Sequence, residues 1–254
     1  MLATTRYDGP PAATPLLIAH GLFGSARNWN VIAKRLSARR TVISVDMRNH
    51  GESPRADTHS YADLAADLAE VIEAEGTPMD VLGHSMGGKA AMMLALTRPD
   101  LVRRLVVADI APIAYDHSQD HLIEAMRALD LTDLTSRSEA DRRLSQSVDT
   151  PSVRAFLLQS LDLRADPPRW RLNLDVLDRE MDKITGWPAP NGTFPGPAFF
   201  LAGGESDYVP PEARAGIKAR FPKARMARIP GAGHWLHAEK PREFEAAVEA
   251  FLTA

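Results

Sequence analysis

The chain has 254 residues, 44% of them hydrophobic and 25% charged, with a formal net charge of −3. That is enough to bury one α/β core, or a core with an inserted subdomain, and it gives no bulk electrostatic case for a nucleic acid or an anionic membrane as partner. There is no cysteine, which excludes disulfides, thiolate metal sites and a cysteine nucleophile.

The first residues, Met1 to Asp8, lack the apolar centre of a secretory signal, and no apolar run is long enough to span a bilayer. A cytoplasmic protein with no stable membrane insertion is expected. Residues 1–15 are short and polar, with room for one hairpin or edge strand. Leu16–His20 is a continuous apolar run that predicts a buried parallel strand, running into His20-Gly21-Leu22-Phe23-Gly24-Ser25. Asn28–Leu36 reads as a helix with Trp29, Ile32, Ala33 and Leu36 inward. Thr41–Asp46 is the next strand, followed by a polar cluster, Asp46, Arg48, Asn49 and His50. That cluster is expected to be a buried, hydrogen-bonded turn supporting the neighbouring loop. Ser60 marks a helix start, and Leu64, Leu68, Val71 and Ile72 give that helix its stripe.

Met79–Leu82 then leads into Gly83-His84-Ser85-Met86-Gly87-Gly88 and a helical stretch to about Thr97. Strand, sharp turn and helix are the context a G-x-S-x-G nucleophile elbow requires. Ser85 must occupy a strained turn to stand clear of the sheet, and glycines at 83 and 87 avoid a Cβ clash there. Arg103–Asp109 is a further strand. Alternating strands and helices predict an α/β fold, a mostly parallel sheet with helices on both faces.

The rhythm breaks over residues 115–187. No convincing strand is visible there, and short helices are predicted at Leu122–Leu129, Glu139–Val148, Val153–Leu161 and Leu172–Ile184. The expected organisation is a core of residues 1–114 and 188–254 with a helical cap, 115–187, inserted between two of its strands. Strands at Pro197–Ala202 and Ala224–Ile229 and helices at Pro211–Phe221 and Pro241–Leu252 complete the core.

A serine hydroxyl needs a base, and the base needs an acid to hold its tautomer. In an elbow fold the chain order is serine, acid, histidine. His234, in the glycine-flanked loop after the last strand, is the expected base. His237 is expected at the rim, and His84 to point away from the Ser85 hydroxyl. Two aspartates lie at strand ends in the right part of the chain, Asp109 and Asp207. Anchoring the later loop on Gly203 and Val209-Pro210 puts Ser206 where that loop usually carries its acid and leaves Asp207 one residue late. Asp109 is the expected acid and Asp207 the alternative. The backbone N–H groups of Leu22 and Met86 are the expected oxyanion donors. Lys89 reads as a solvated or cap-facing charge. Phe23, Trp187 and Trp235 are expected to line the substrate pocket.

With these residues in view the chain resembles the α/β-hydrolase fold family. In HGLFGS (20–25), DMRNHGES (46–53), GHSMGGKA (83–90), DIAP (109–112) and GAGHWLHAEKP (231–241) it is similar to the YbfF-type bacterial esterases. The resemblance implies a serine esterase acting on acyl esters or thioesters under a small helical cap, with its acid at Asp109 and no cofactor or metal. A small-molecule acyl ester or thioester of short to medium chain, acyl-CoA among the options, is the expected substrate. Two alternatives stand beside it. One is a non-catalytic ligand-binding or signalling module on the same fold. The other is a different reaction of a serine triad, perhydrolysis or carbon–carbon bond hydrolysis.

Overall fold

A computed structural model describes all 254 residues. The sheet is built from β1 (Thr4–Tyr7), β2 (Leu16–Ala19), β3 (Val42–Val45), β4 (Met79–His84) and β5 (Val102–Ala108), and from two strands near the C-terminus described below. β2, β3 and β4 are buried along their whole length, as strands covered on both faces must be. On the first half of the chain the covering helices are α1 (Asn30–Leu36), α2 (Tyr61–Glu75) and α3 (Met86–Thr97). α2 starts where Ser60 and Asp63 cap each other reciprocally, Ser60 Oγ accepting from Asp63 N–H at 3.2 Å, and stops at Gly76 with φ +71°. The turn before α1 is a 3₁₀ segment, Ala26–Trp29, so the α-helix begins two residues later than the sequence suggests.

Between β5 and the next sheet strand the chain leaves the sheet for a long excursion. It holds α4 (Asp120–Ala128), α5 (Arg137–Leu144), α6 (Pro151–Leu157), the two-residue strands β6 (Leu161–Asp162) and β7 (Arg169–Trp170), α7 (Leu174–Arg179) and α8 (Met181–Thr185). The small antiparallel β6–β7 pair corrects the expectation of a strandless segment. The helices after α4 are also shorter than expected. Pro151 opens α6 at its first position, and the span expected at Leu172–Ile184 divides at Glu180. Its buried side chains, Leu122, Ile123, Met126, Leu177, Met181 and Ile184, join the apolar cluster formed by one face of the sheet with α2 and α3.

The chain returns through β8 (Ala198–Gly203), α9 (Ala213–Arg220), β9 (Ala224–Ile229), α10 (Leu236–Glu239) and α11 (Pro241–Leu252). The seven strands lie in the order β1-β3-β2-β4-β5-β8-β9, parallel except for β1 at the edge, which pairs antiparallel with β3. A second apolar cluster covers the other face with Trp29, Leu36, Phe244, Val248 and Phe251. Because β2, β4, β5, β8 and β9 run the same way, His20, Ser85, Asp109, Gly203 and Pro230 all emerge at one end of the sheet. This is the end where parallel sheets gather their functional loops.

Candidate active site

Ser85 sits between β4 and α3 with φ 52° and ψ −121°, a strained conformation for a residue with a Cβ. The turn is held from both sides by close backbone approach. A Cβ at Gly83 would lie 2.2 Å from Gly87 O, and one at Gly87 would lie 2.4 Å from the carbonyls of Ala19 and His20. Only glycine lets the elbow press against the end of β2.

The Ser85 hydroxyl donates to His234 Nε2 at 3.1 Å, and His234 Nδ1–H donates to Asp109 Oδ2 at 2.7 Å. The two expected partners are thus brought together with the serine. Asp109 follows β5 directly, also at positive φ, and is wholly buried. Its carboxylate is held by three donors: His234, Gly203 N–H on Oδ1 at 2.7 Å, and Ser206 Oγ on Oδ2 at 2.5 Å. Ser206 therefore stands beside the acid rather than replacing it. Its signal was present in the register of the Gly203–Pro210 loop. Asp207, the alternative acid, is exposed, and the carboxylate on His234 Nδ1 is that of Asp109.

Leu22 N–H donates to no protein acceptor, and Met86 occupies the first position of α3, where a helix has no acceptor of its own to offer. Gly21 brings the Leu22 loop against the elbow, since a Cβ there would stand 3.1 Å from Ser85 Cβ. The loop is anchored from behind by the polar cluster after β3. Phe23 N–H donates to His50 Nε2 at 3.1 Å, Ala26 N–H to Asp46 Oδ1 at 2.7 Å, and Met47 N–H to His20 Nε2 at 2.9 Å. This is the supporting turn the sequence led us to expect. His20 and His50 accept on Nε2, so each carries its proton on Nδ1, donated to Gly21 O and Arg48 O. Burial pushes His20 down to about 4 and His50 and His59 down to about 3.

Four expectations need correction or sharpening. His84 bonds not the serine but the chain beyond it, a task the sequence did not reveal: its buried Nε2–H donates to the His234 carbonyl at 2.9 Å. His237 is not a rim residue. It is buried and stacks on Trp29 with ring centroids 4.3 Å apart, and burial lowers it to about 3. Lys89 faces the excursion but is not solvated. It is buried, its Nζ donates to the carbonyls of Thr185 and Gly186, and loss of solvent lowers its ammonium to about 7. Trp187 lies outside the cavity wall, whereas Phe23 and Trp235 are part of it. The sequence reading also missed Tyr208, whose ring stacks on His234 at 3.9 Å and 20° while its hydroxyl meets His117 Nε2 at 2.9 Å.

A cavity of about 490 Å³ opens onto Ser85. Its inner wall is largely apolar, with Phe23, Trp29, Met86, Ile110, Val153 and Phe156. Its rim carries the exposed polar side chains of His117, His121, Ser147, Asp149 and Thr150, with half-buried Gln119 and buried Val148 among them. No cluster of three or more His, Asp or Glu side chains is arranged to hold a metal ion.

A family model described as the alpha/beta hydrolase fold matches residues 14–241. The chain belongs to the α/β-hydrolase fold family. Among its relatives, the mouse sn-1-specific diacylglycerol lipase ABHD11 is 42% identical, the alignment covering 99% of this chain and 85% of that one. The Escherichia coli esterase YbfF is 38% identical over 94% of this chain and 93% of its own. A solved structure of a marine microorganism esterase superposes with a TM-score of 0.92 at 38% identity, covering 99% and 100% of the two chains. Within the α/β-hydrolase family, the chain is a carboxylic ester hydrolase. No helix is long and apolar enough to cross a membrane.

Proposed function

We propose that Ser85, His234 and Asp109 form the catalytic triad of an esterase whose substrates join an apolar acyl group to an uncharged alcohol. The observation that carries this is the unbroken hydrogen-bond path from the Ser85 hydroxyl through His234 to a buried carboxylate, at the floor of the cavity. In the reaction, His234 Nε2 takes the Ser85 proton as Oγ attacks the ester carbonyl. The oxyanion that forms is received by the N–H groups of Leu22 and Met86. Collapse expels the alcohol, which takes the proton from His234. Water, activated by the same imidazole, then attacks the acyl-enzyme and releases the acid. Asp109 keeps the proton on Nδ1 and stabilises the imidazolium.

The cavity wall supports an alkyl or alkenyl acyl chain of short to medium length. The rim supports a neutral leaving group. Its polar residues are His117, Gln119, His121, Ser147, Asp149 and Thr150, with no arginine or lysine among them. Lys89, the one lysine on the wall, is spent on two main-chain carbonyls. A phosphorylated thioester such as acyl-CoA would meet no cation and one carboxylate there, whereas a glyceride alcohol would meet donors and acceptors. The naming of the mouse relative as a diacylglycerol lipase agrees with that preference. On this reading residues 115–187 act as a cap that selects substrate, and the enzyme works in the cytoplasm.

Pre-steady-state release of p-nitrophenol from p-nitrophenyl butyrate tests the reading. A burst equal to the enzyme concentration, followed by steady turnover and an acyl mass on the Ser85 peptide, is expected. Ser85→Ala should abolish both burst and adduct and lower kcat by roughly 10⁴–10⁶. Stoichiometric binding without turnover across acyl lengths would instead support the ligand-binding module.

A further inference from the structure

Lys89 is the only lysine among the buried residues. It lies one helical turn after the serine, its N–H bonded to Ser85 O at 3.0 Å. Burying an ammonium is costly unless its donors are met. Here Nζ donates to Thr185 O at 2.8 Å and Gly186 O at 2.6 Å, carbonyls at the C-terminal end of α8, where a helix leaves its last acceptors unfilled. The same ammonium lies 4.6 Å from the Tyr115 ring centre and 5.6 Å from that of Tyr61, within cation–π range of both. Tyr61 Oη donates to the preceding carbonyl, Ile184 O, at 2.5 Å.

These contacts fall where the excursion leaves and re-enters the core. Tyr115 is in its entry stem and Thr185–Gly186 in its exit stem, and the stems are joined by Tyr115 N–H donating to Thr185 O at 3.1 Å. Thr185 O thus accepts from one stem and from Lys89 together. Tyr115 carries the connection onward, since its hydroxyl donates to Tyr208 O at 2.6 Å and the Tyr208 ring lies against His234.

We propose that Lys89 is a positioning residue, a cationic pin that fastens the two stems of the excursion to the nucleophile helix and so fixes the cavity wall over Ser85. The consequence for catalysis rests on the triad reading above; the pin itself does not. Lys89 lies on the cavity wall with Tyr61, Tyr115, Ile184 and Thr185 and bonds no triad side chain, so loosening the stems changes the shape of the cavity first and reaches His234 only through Tyr115 and Tyr208.

Hydrogen exchange on Lys89→Met, which keeps the side-chain length and removes charge and donors, tests this. Exchange in peptides covering 113–118 and 183–188 should quicken by roughly 10-fold or more, while β4 stays unchanged. Done in a Ser85→Ala background, the measurement is independent of turnover, so it separates failure of the pin from failure of the esterase reading. In the active background, KM for an ester that fills the cavity should rise several-fold while kcat for p-nitrophenyl acetate stays within about 3-fold. Lys89→Gln, which keeps an N–H donor and removes the charge, should quicken exchange in both stems by a smaller factor, and it serves if Lys89→Met does not fold. Unchanged stem exchange in Lys89→Met would overturn the proposal. So would equal acceleration in the stems and β4, which would make Lys89 a general packing residue, or unchanged stem exchange in Lys89→Gln.

Discussion

The floor and the rim of the cavity are built on opposite principles. On the floor, the groups that meet at Ser85 are held by several contacts each. Asp109 has three donors, the Leu22 loop has three anchors, and the elbow is fixed by glycines in backbone contact. On the rim, His121, Ser147, Asp149 and Thr150 are exposed on short helices and turns. A floor fixed this firmly holds the reacting atoms in one geometry, as acyl transfer requires. Exposed rim side chains can differ in shape and polarity without disturbing the contacts that hold the floor. On the proposed function, the difference assigns chemistry to the first region and choice of substrate to the second.

The sharpest way to break that comparison is to weaken the floor at a distance from the serine. His50→Leu removes the acceptor of Phe23 N–H and strands a buried donor. We expect the Leu22 donor to shift, with kcat lower by about 10²-fold and stability lower by about 1–3 kcal/mol, and KM little changed. Steady-state kinetics beside a denaturant titration will show whether the two losses occur together.

Acid should dismantle the floor next. Burial lowers His20 from 6.5 to about 4, and His50, His59 and His237 from 6.5 to about 3. The unfolded chain then binds more protons than the folded one between those values, so the histidines' contribution to stability is complete above pH ~6.5 and falls as pH drops toward 3. Asp80, raised from 3.8 to about 6 by burial, opposes this over its own window, one group against five, since burial lowers His84 as well. Thermal melts should show Tm falling between pH 6.5 and 4. A Tm independent of pH over that range would mean the buried imidazoles do not hold the loop as described.

The smallest effects should come from the rim. His121→Ala and Thr150→Ala are expected to change the ratio of kcat/KM between a glyceride ester and an acyl-CoA by about 2- to 10-fold. Their kcat on p-nitrophenyl acetate should stay near that of the parent. A large loss on every ester would place rim residues in the chemistry and erase the distinction.

The floor was the part most legible in the sequence, and for a physical reason. Strained turns and close backbone approach demand glycine, so Gly83-His84-Ser85-Met86-Gly87 and Gly231-Ala232-Gly233-His234 announce themselves as short local patterns. The edge strand near the N-terminus and the supporting role of the polar cluster after β3 followed from the same local logic, whereas the strand order and the antiparallel pairing of β1 came only from the structure. Roles that depend on contacts distant in sequence were not legible. His84 reaches a carbonyl 150 residues away, Lys89 reaches 96 and 97 residues ahead, and Tyr208 lies on an imidazole that only the fold brings near. The expectation of Trp187 in the pocket failed for the same reason, since Trp187 packs against the apolar core instead. Short helices in 115–187 were found approximately, because prolines and caps mark their starts better than their ends.

The most direct test of the account is the pair Asp109→Asn and Asp207→Asn, assayed for kcat on one ester. The geometry at His234 Nδ1 predicts a loss of about 10⁴ for Asp109→Asn and less than about 2-fold for Asp207→Asn, as for an exposed substitution away from the reacting groups. A collapse of activity in Asp207→Asn, with Asp109→Asn still active, would contradict it.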